Sequence, residues 1–128
     1  MAYTKLGLTP DGSSTYFLPR IVGLRALELT LTNRMLSARE AMKWGIVTTV
    51  VPDSALTVAS TEMAKRLASG PTRAFGGAKR LIHSGFSETI ETQMELEARL
   101  IAELAKSEDG QEGIKAFLEK RPAKFAGR

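Results

Sequence analysis

Few side chains in this sequence could perform nucleophilic catalysis. Ser13 and Ser14 follow shortly after Asp11, and the chain has one histidine, His83. These are the residue types of a Ser-His-Asp triad, in which histidine activates the serine hydroxyl and aspartate orients the histidine. The serines do not lie in a Gly-x-Ser-x-Gly turn, and no carboxylate is suitably spaced from His83. We therefore reject a triad and expect His83 to be a surface or capping residue.

The composition of the sequence gives little support to metal-dependent or thiol-dependent catalysis. Cysteine is absent, which excludes thiolate nucleophiles, disulfides and cysteine-based zinc sites. A single histidine excludes a His-rich metal site or a two-histidine relay unless another chain supplies the rest. We expect no metal site. Gly76 and Gly77 lack the Lys-Ser/Thr that follows a phosphate-binding loop, and they indicate close packing of a helix instead.

Charge is distributed unevenly in the C-terminal third of the chain. Residues 88–112 carry eight acidic side chains against Arg99 and Lys106, whereas residues 113–128 carry five basic side chains against Glu119. A basic end favours a phosphorylated or polyanionic ligand, although such a run is more often a solvated tail. The basic residues are not interleaved with aromatics, and the acidic helix at 88–106 would repel phosphates. We therefore predict no nucleic-acid partner.

The length and composition are those of one ordinary soluble domain. The chain has 128 residues, of which 43% are hydrophobic and 25% are charged. No stretch approaches the roughly 20 apolar residues that span a bilayer, and the N-terminus lacks the pattern of a signal or transit peptide. We expect a cytoplasmic protein without a membrane partner, with only its last few residues loosely held.

The hydrophobic pattern is helical along most of the chain. Asp11 or Ser13 is predicted to cap a first helix that ends at Gly23, and Ser37 with Glu40 forms a capping box. Residues 46–51 are the one strongly β-branched run, which predicts a single short strand. Because the remaining sequence offers no pairing partner, we expect the partner strands outside this chain or in another subunit. Further helices are predicted at 56–69, 75–84, 88–106 and 107–121.

Three segments resemble the crotonase family, the enoyl-CoA hydratases and isomerases. The first is LGLTPDGSSTYFLPRIVG at 6–23, which resembles the segment after the substrate pocket. The second is LSAREAMKWGIV at 36–47, leading to VVP at 50–52, and the third is EGIKAFLEKRP at 112–122 with FAGR at 125–128. Their order and spacing fit the family along nearly the whole chain.

The resemblance implies a mainly α fold, the helical C-terminal region of the crotonase fold with one short strand. It implies a single domain over 1–128: a turn and helix at 1–23, two short helices and the strand at 24–52, and a helical trimerisation region at 53–128. The β-spiral half, which in the family holds the two oxyanion-hole amides, is expected to be missing. The chain is therefore expected to be inactive alone, or alternatively to be a stand-alone oligomerisation or binding module.

The resemblance also assigns candidate site residues. Hydratases of the family use two Glu, and the second falls at Tyr3, a phenol that is a poor general base at neutral pH. Dienoyl-CoA isomerases of the family place an acid at the position of Asp11, although an Asp at the start of a helix is more often an N-cap. Lys120 matches a lysine that contacts coenzyme A phosphate, and Phe117 would cover a neighbouring pocket; a helix-terminal Lys and a core Phe are the alternatives. Coenzyme A enters as part of an acyl-CoA substrate, without a separate cofactor, and a homo-oligomer such as a trimer is expected.

Overall fold

A computed structural model describes residues 2–128. Seven α-helices lie in this range, and two 3-10 turns occupy Tyr3–Leu6 and Asp53–Ala55. The helices are α1 (Ser14–Val22), α2 (Arg25–Thr32), α3 (Ala38–Lys43), α4 (Leu56–Ala68), α5 (Thr72–Ser84), α6 (Ile90–Ala105) and α7 (Glu108–Leu118). The chain divides into two compact units, the first ending at Ser54 and the second spanning Ala55–Arg128. The single domain over 1–128 stays a prediction.

The strand expected at residues 46–51 is absent, and no strand occurs between residues 2 and 128. The amides of Ile46 and Val47 both donate to the carbonyl of Ala41, at 2.9 and 3.4 Å, and so they complete the end of α3. The described chain offers no neighbouring strand to the rest of the run. A β-branched segment without a ladder partner stays irregular, because strand geometry is stabilised by pairing. The prediction of one short strand is therefore wrong for this chain by itself, and pairing of residues 46–51 with strands outside the chain stays a prediction.

The first unit is built on the packing of α1 against α2. Val22, Ala26 and Leu29 are its buried apolar residues. Helix α1 continues past Pro19 to Val22, and Gly23 ends it at a positive φ of 61°, with its amide donating to the carbonyl of Pro19. The predicted end of the first helix at Gly23 is therefore confirmed.

Helix α3 begins as its sequence predicts. Ser37 Oγ accepts from the Glu40 amide, and the Glu40 carboxylate accepts from the Ser37 amide, which completes the capping box. Arg34 adds ion pairs to Glu28 at 3.0 Å and to Glu40 at 2.9 Å. Hydrogen bonds from Ser37 and Arg34 lower the pKa of Glu40 to about 2. This network fixes the turn that leads from α2 into α3.

The second unit contains the four longer helices. Gly77 of α5 is buried, and a Cβ there would lie 2.8 Å from Leu100 Cδ2 of α6. The close packing predicted for the glycine pair is thus confirmed at Gly77, whereas the space beside Gly76 is open. Helix α7 is capped by Ser107, whose Oγ accepts from the Gly110 amide at 3.0 Å. Ala116, on the same helix, is 2% exposed and is one of the most buried residues described.

The C-terminal tail is held against α7 rather than loose. The Asp109 carboxylate accepts from the amides of Ala126 at 2.6 Å and Gly127 at 2.9 Å. Glu112 accepts a bidentate pair of bonds from Arg121, at 2.7 and 2.8 Å, and a third from the Lys124 amide at 2.8 Å. The expectation of a loosely held tail is wrong, because the acidic face of α7 supplies acceptors for its backbone. We call this set of contacts the tail clasp.

We predict that the tail clasp makes stability sensitive to acid. Hydrogen bonds from Arg121 and the Lys124 amide lower the pKa of Glu112 from 4.5 to about 2. A carboxylate whose pKa is lower in the folded state stabilises the fold above its ordinary pKa and loses that contribution as pH falls from 4.5 toward 2. The melting temperature should therefore fall over this interval, and Glu112→Gln should flatten that part of the profile.

The measurement is thermal unfolding followed by circular dichroism between pH 7 and 2. Glu95→Gln is the matched control, since it removes a carboxylate from an exposed i,i+4 pair with Arg99 on α6. Parallel profiles for the wild type and Glu112→Gln below pH 4.5 would contradict the prediction.

Many large apolar side chains remain exposed on both units. Leu24, Met35 and Phe117 are each more than four-fifths exposed, and several other leucine, isoleucine and methionine side chains are also accessible. None of the described helices is both long and apolar enough to cross a bilayer. Apolar surface on this scale is typical of a protein–protein interface.

Candidate functional site

Tyr3 and Asp11 form a hydrogen-bonded pair at the start of the first unit. Tyr3 lies in the first 3-10 turn, and its hydroxyl donates to Asp11 Oδ1 at 2.6 Å. Asp11 is exposed and Tyr3 is partly buried. A phenol at this distance fixes one oxygen of a carboxylate that remains accessible. The pair is therefore the candidate site of this chain.

The turn before α1 keeps the Asp11 side chain out of the helix end. Gly12 and Ser13 both have positive φ, 59° and 62°, and Ser13 is the N-cap residue although its side chain makes no capping bond. The Asp11 carbonyl accepts from the Ser14 amide and from the Ser14 hydroxyl. The carboxylate of Asp11 therefore does not cap α1, and the capping role considered from the sequence is not adopted.

Electrostatics keep the Tyr3 hydroxyl protonated. Its hydrogen bond to Asp11, followed by the negative charge of that carboxylate, raises the Tyr3 pKa above its ordinary 10.0. Near neutral pH the phenol is consequently a donor and cannot serve as a base. The pair offers one carboxylate able to exchange protons and one neutral group that holds it.

Lys120 and Phe117 lie at the end of α7. The Lys120 amide donates to the Phe117 carbonyl and the Arg121 amide donates to the Ala116 carbonyl, which is the Schellman arrangement. Lys120 takes the left-handed position with φ 53°, where glycine is usual. Its side chain is exposed, and Phe117 is 82% exposed. Phe117 is therefore not a core residue of this unit.

The candidate residues are distributed over the two units. Asp11 belongs to the first unit, and Lys120 and Phe117 belong to the second. His83 lies in the last turn of α5. Within residues 2–128, no group of three or more His, Cys, Asp and Glu side chains is placed to hold a metal ion.

Sequence reasoning missed the Tyr3–Asp11 bond and both acceptors of the tail clasp. The sequence identifies Tyr3 only as a residue in place of a catalytic base, because nothing in the spacing shows that its hydroxyl reaches Asp11. The positions of Asp109 and Glu112 do indicate their role, since their i,i+3 spacing places two carboxylates on one face of the last helix. That face precedes a basic tail of opposite charge.

These features define a helical region in which a tyrosine hydroxyl holds an accessible carboxylate, and comparisons with known proteins identify its class. The enoyl-CoA hydratase/isomerase family matches the chain over residues 1–128. The chain belongs to this family, and its fold is the helical C-terminal part of the crotonase fold.

Individual relatives and solved structures support the same family assignment. The chain is 43% identical to a "Probable enoyl-CoA hydratase" of Rhodobacter capsulatus over 99% of this chain and 50% of that protein. It is 40% identical to 1,2-epoxyphenylacetyl-CoA isomerase of Escherichia coli, over 100% of this chain and 49% of the relative. An enoyl-CoA hydratase/isomerase structure from Cupriavidus metallidurans superposes with a TM-score of 0.89 at 36% identity, covering 99% of this chain and 48% of that one. The chain spans about half the length of the curated relatives it matches.

Proposed function

We propose that this chain supplies the acid–base carboxylate of an enzyme that isomerises the double bond of an enoyl-CoA thioester. The observation that carries the proposal is the 2.6 Å hydrogen bond from the Tyr3 hydroxyl to Asp11 Oδ1. Asp11 is the acid–base residue and Tyr3 holds it. The amides that stabilise the thioester oxyanion are supplied by the other half of the fold, as the family resemblance implies, so the chain alone is expected to be inactive.

The pair favours isomerisation over hydration. Adding water across a double bond in this family uses two carboxylates, and the second position is occupied here by Tyr3. A phenol whose pKa is raised by Asp11 stays protonated and cannot activate water. Moving a double bond needs a single group that accepts a proton at one carbon and returns it at another. Asp11 meets that requirement by itself.

The proton balance of the step is simple. The Asp11 carboxylate takes a proton from the carbon beside the double bond, and the electron pair moves through the conjugated system onto the thioester oxygen. Hydrogen-bond donors in the other half stabilise this oxyanion. The protonated Asp11 then returns the proton at the far end of the conjugated system. No atom is gained or lost, so the product is an isomer.

Lys120 is proposed to contact a phosphate of coenzyme A, with Phe117 covering part of the pocket of a neighbouring subunit. A lysine at φ 53° stores backbone strain that glycine would not, and strained residues of this kind are frequent at functional sites. Its exposed ammonium suits a phosphate as a point charge. The 82% exposure of Phe117 leaves that ring available to another chain.

Lys120→Gly is expected to stabilise the fold while weakening ligand binding. Removing the left-handed strain should raise the free energy of unfolding by about 1 kcal/mol. Losing the ammonium should weaken acyl-CoA binding about tenfold, since this corresponds to about 1.4 kcal/mol. Urea denaturation and calorimetric titration measure the two effects. The control is Lys124→Gly, which removes a lysine from the tail. Lys115→Gly would not serve, because Lys115 lies inside α7 and glycine would destabilise the helix. Unchanged affinity in Lys120→Gly would leave Lys120 as a helix-terminal residue only.

Self-association is the second part of the proposal. An apolar groove of about 530 Å³ between α1 and α2 is lined by side chains including Leu18, Leu24 and Leu27. Together with the exposed apolar residues of both units it supports a homo-oligomer, such as a trimer. The same surface favours the alternative of an assembly module without catalysis. Size-exclusion chromatography with light scattering tests the assembly, and a stable monomer would argue against it.

Activity is tested in a protein with both halves of the fold. Residues 1–128 are joined to the N-terminal half of the Rhodobacter capsulatus relative, giving what we call the joined protein. It is assayed with 3-enoyl-CoA for isomerisation and with 2-enoyl-CoA for hydration, next to the 128-residue chain alone and the intact relative. We expect isomerisation by the joined protein and none by the chain alone. Hydration without isomerisation would refute the proposal.

A further inference from the structure

We propose that Thr4 and Asn33 form a latch that positions the Tyr3 hydroxyl against Asp11. The inference rests on the proposed function, because it assigns positioning residues to the same site. The hydrogen bonds of Thr4 and Asn33 do not involve Asp11. Both would act through the first 3-10 turn, which carries Tyr3.

The latch is a directional chain of hydrogen bonds. The Asn33 amide Nδ2 donates to Thr4 Oγ1 at 2.6 Å, and the Thr4 hydroxyl in turn donates to the carbonyl of Thr30 at 2.7 Å. Both bonds are partly buried. One hydroxyl thus joins the 3-10 turn to the last turn of α2 and to the residue that ends this helix.

The placement of Thr4 explains why Tyr3 depends on it. The backbone bonds of the turn, such as Gly7 to Thr4 and Leu8 to Tyr3, are internal and do not attach it to a helix. The bonds of Thr4 reach 26 and 29 residues along the chain, and Tyr3 is its immediate neighbour. A turn released from α2 could rotate, and a shift of about 1 Å removes a hydrogen bond as short as that of Tyr3.

Asn33 is suited to this task by its backbone and its amide. It ends α2 in the left-handed region with φ 53°, which asparagine tolerates better than most residues. Its Oδ1 is the one buried side-chain oxygen or nitrogen within residues 2–128 that has no hydrogen-bond partner there. The Thr4 hydroxyl has one proton and donates it to the Thr30 carbonyl, so only the N–H end of the Asn33 amide can pair with Thr4 Oγ1.

The experiment is a titration of Tyr3 in the 128-residue chain. Tyr16→Phe leaves Tyr3 as the one tyrosine, and its ionisation is followed by ultraviolet absorbance. Thr4→Val removes the hydroxyl with little change of shape, and Asn33→Gly removes the amide without straining the left-handed backbone. Thr4→Ser restores the hydroxyl. Thr32→Val is the matched control, because the Thr32 hydroxyl bonds to Glu28 within α2 and not to the turn.

We expect Thr4→Val and Asn33→Gly to lower the Tyr3 titration midpoint toward the ordinary 10.0, with unchanged helical circular dichroism. Thr4→Ser and Thr32→Val should titrate as the Tyr16→Phe parent does. A parent-like midpoint in both Thr4→Val and Asn33→Gly overturns the latch. Loss of helical signal in both also overturns it, since the bonds would then serve stability rather than positioning.

Failure of the latch is distinguishable from failure of the proposed function. Asp11→Asn in this titration removes the negative charge beside the Tyr3 hydroxyl and should lower the midpoint independently of the latch. Isomerisation by the joined protein is a separate measurement. A lowered midpoint in Asp11→Asn together with parent-like latch variants would reject the latch alone, whereas absence of isomerisation would reject the function and leave the geometry standing.

Discussion

Asp11→Asn in the joined protein is expected to lower isomerase turnover by about 10²- to 10⁴-fold, the range typical of general acid–base catalysis. The amide keeps the size of the carboxylate and can still accept from the Tyr3 hydroxyl, so the local structure should persist. It cannot accept and return a proton. The measurement is turnover of a 3-enoyl-CoA at saturation, with size-exclusion chromatography to show that assembly is unchanged.

Two control variants separate chemistry from structure. Asp53→Asn neutralises an exposed aspartate in the second 3-10 turn and should keep full turnover. Tyr3→Phe removes the donor and leaves Asp11 in place, so it should cost less than Asp11→Asn. Turnover within about twofold of the wild type for Asp11→Asn would remove Asp11 from the reaction.

Asp109→Ala is expected to lower the free energy of unfolding by about 3 kcal/mol, because it removes two charge-assisted hydrogen bonds of roughly 1.5 kcal/mol or more each. Asp109 is 5% exposed and accepts from the amides of Ala126 and Gly127. Truncation leaves those amides without an acceptor and opens the tail clasp at its C-terminal end. The Asp109 amide, which donates to the Arg128 carbonyl at 2.8 Å, loses the geometry that supports this bond.

Urea denaturation measures the loss, and amide hydrogen exchange at residues 126–128 locates it. Glu108→Ala is the matched control on the same helical turn, because its ion pair with Arg128 is exposed and should contribute no more than about 1 kcal/mol. Asp109→Asn retains one acceptor oxygen and should fall between the two. Equal losses for Asp109→Ala and Glu108→Ala would show that the tail clasp does not hold the C-terminus.

Helix boundaries were largely predictable from sequence because their causes are local. Ser37 and Glu40 are three residues apart, and Ser107 directly precedes the helix that it caps. Gly45 follows the C-cap residue of α3 with a positive φ of 76°, and its amide donates to the Met42 carbonyl. Each of these signals operates within about one helical turn, so the residues that create it are neighbours in the sequence.

The strand prediction failed where a local signal needed a distant partner. β-branched residues at 46–51 have strand propensity, but a strand forms only when another strand satisfies its amides and carbonyls. In this chain the first amides of the run are taken by the end of α3 instead.

The sequence by itself determined the helical pattern, the caps and membership of a family whose motifs recur in order along the chain. Only the tertiary structure decided that Tyr3 holds Asp11, that Thr4 and Asn33 join the first turn to α2, and that Asp109 and Glu112 hold the tail. Helix caps depend on bonds between near neighbours, which spacing reveals. The contacts of Tyr3, Thr4 and the tail clasp depend instead on side chains that the packing of separate elements brings together. Such contacts leave no regular spacing in the sequence.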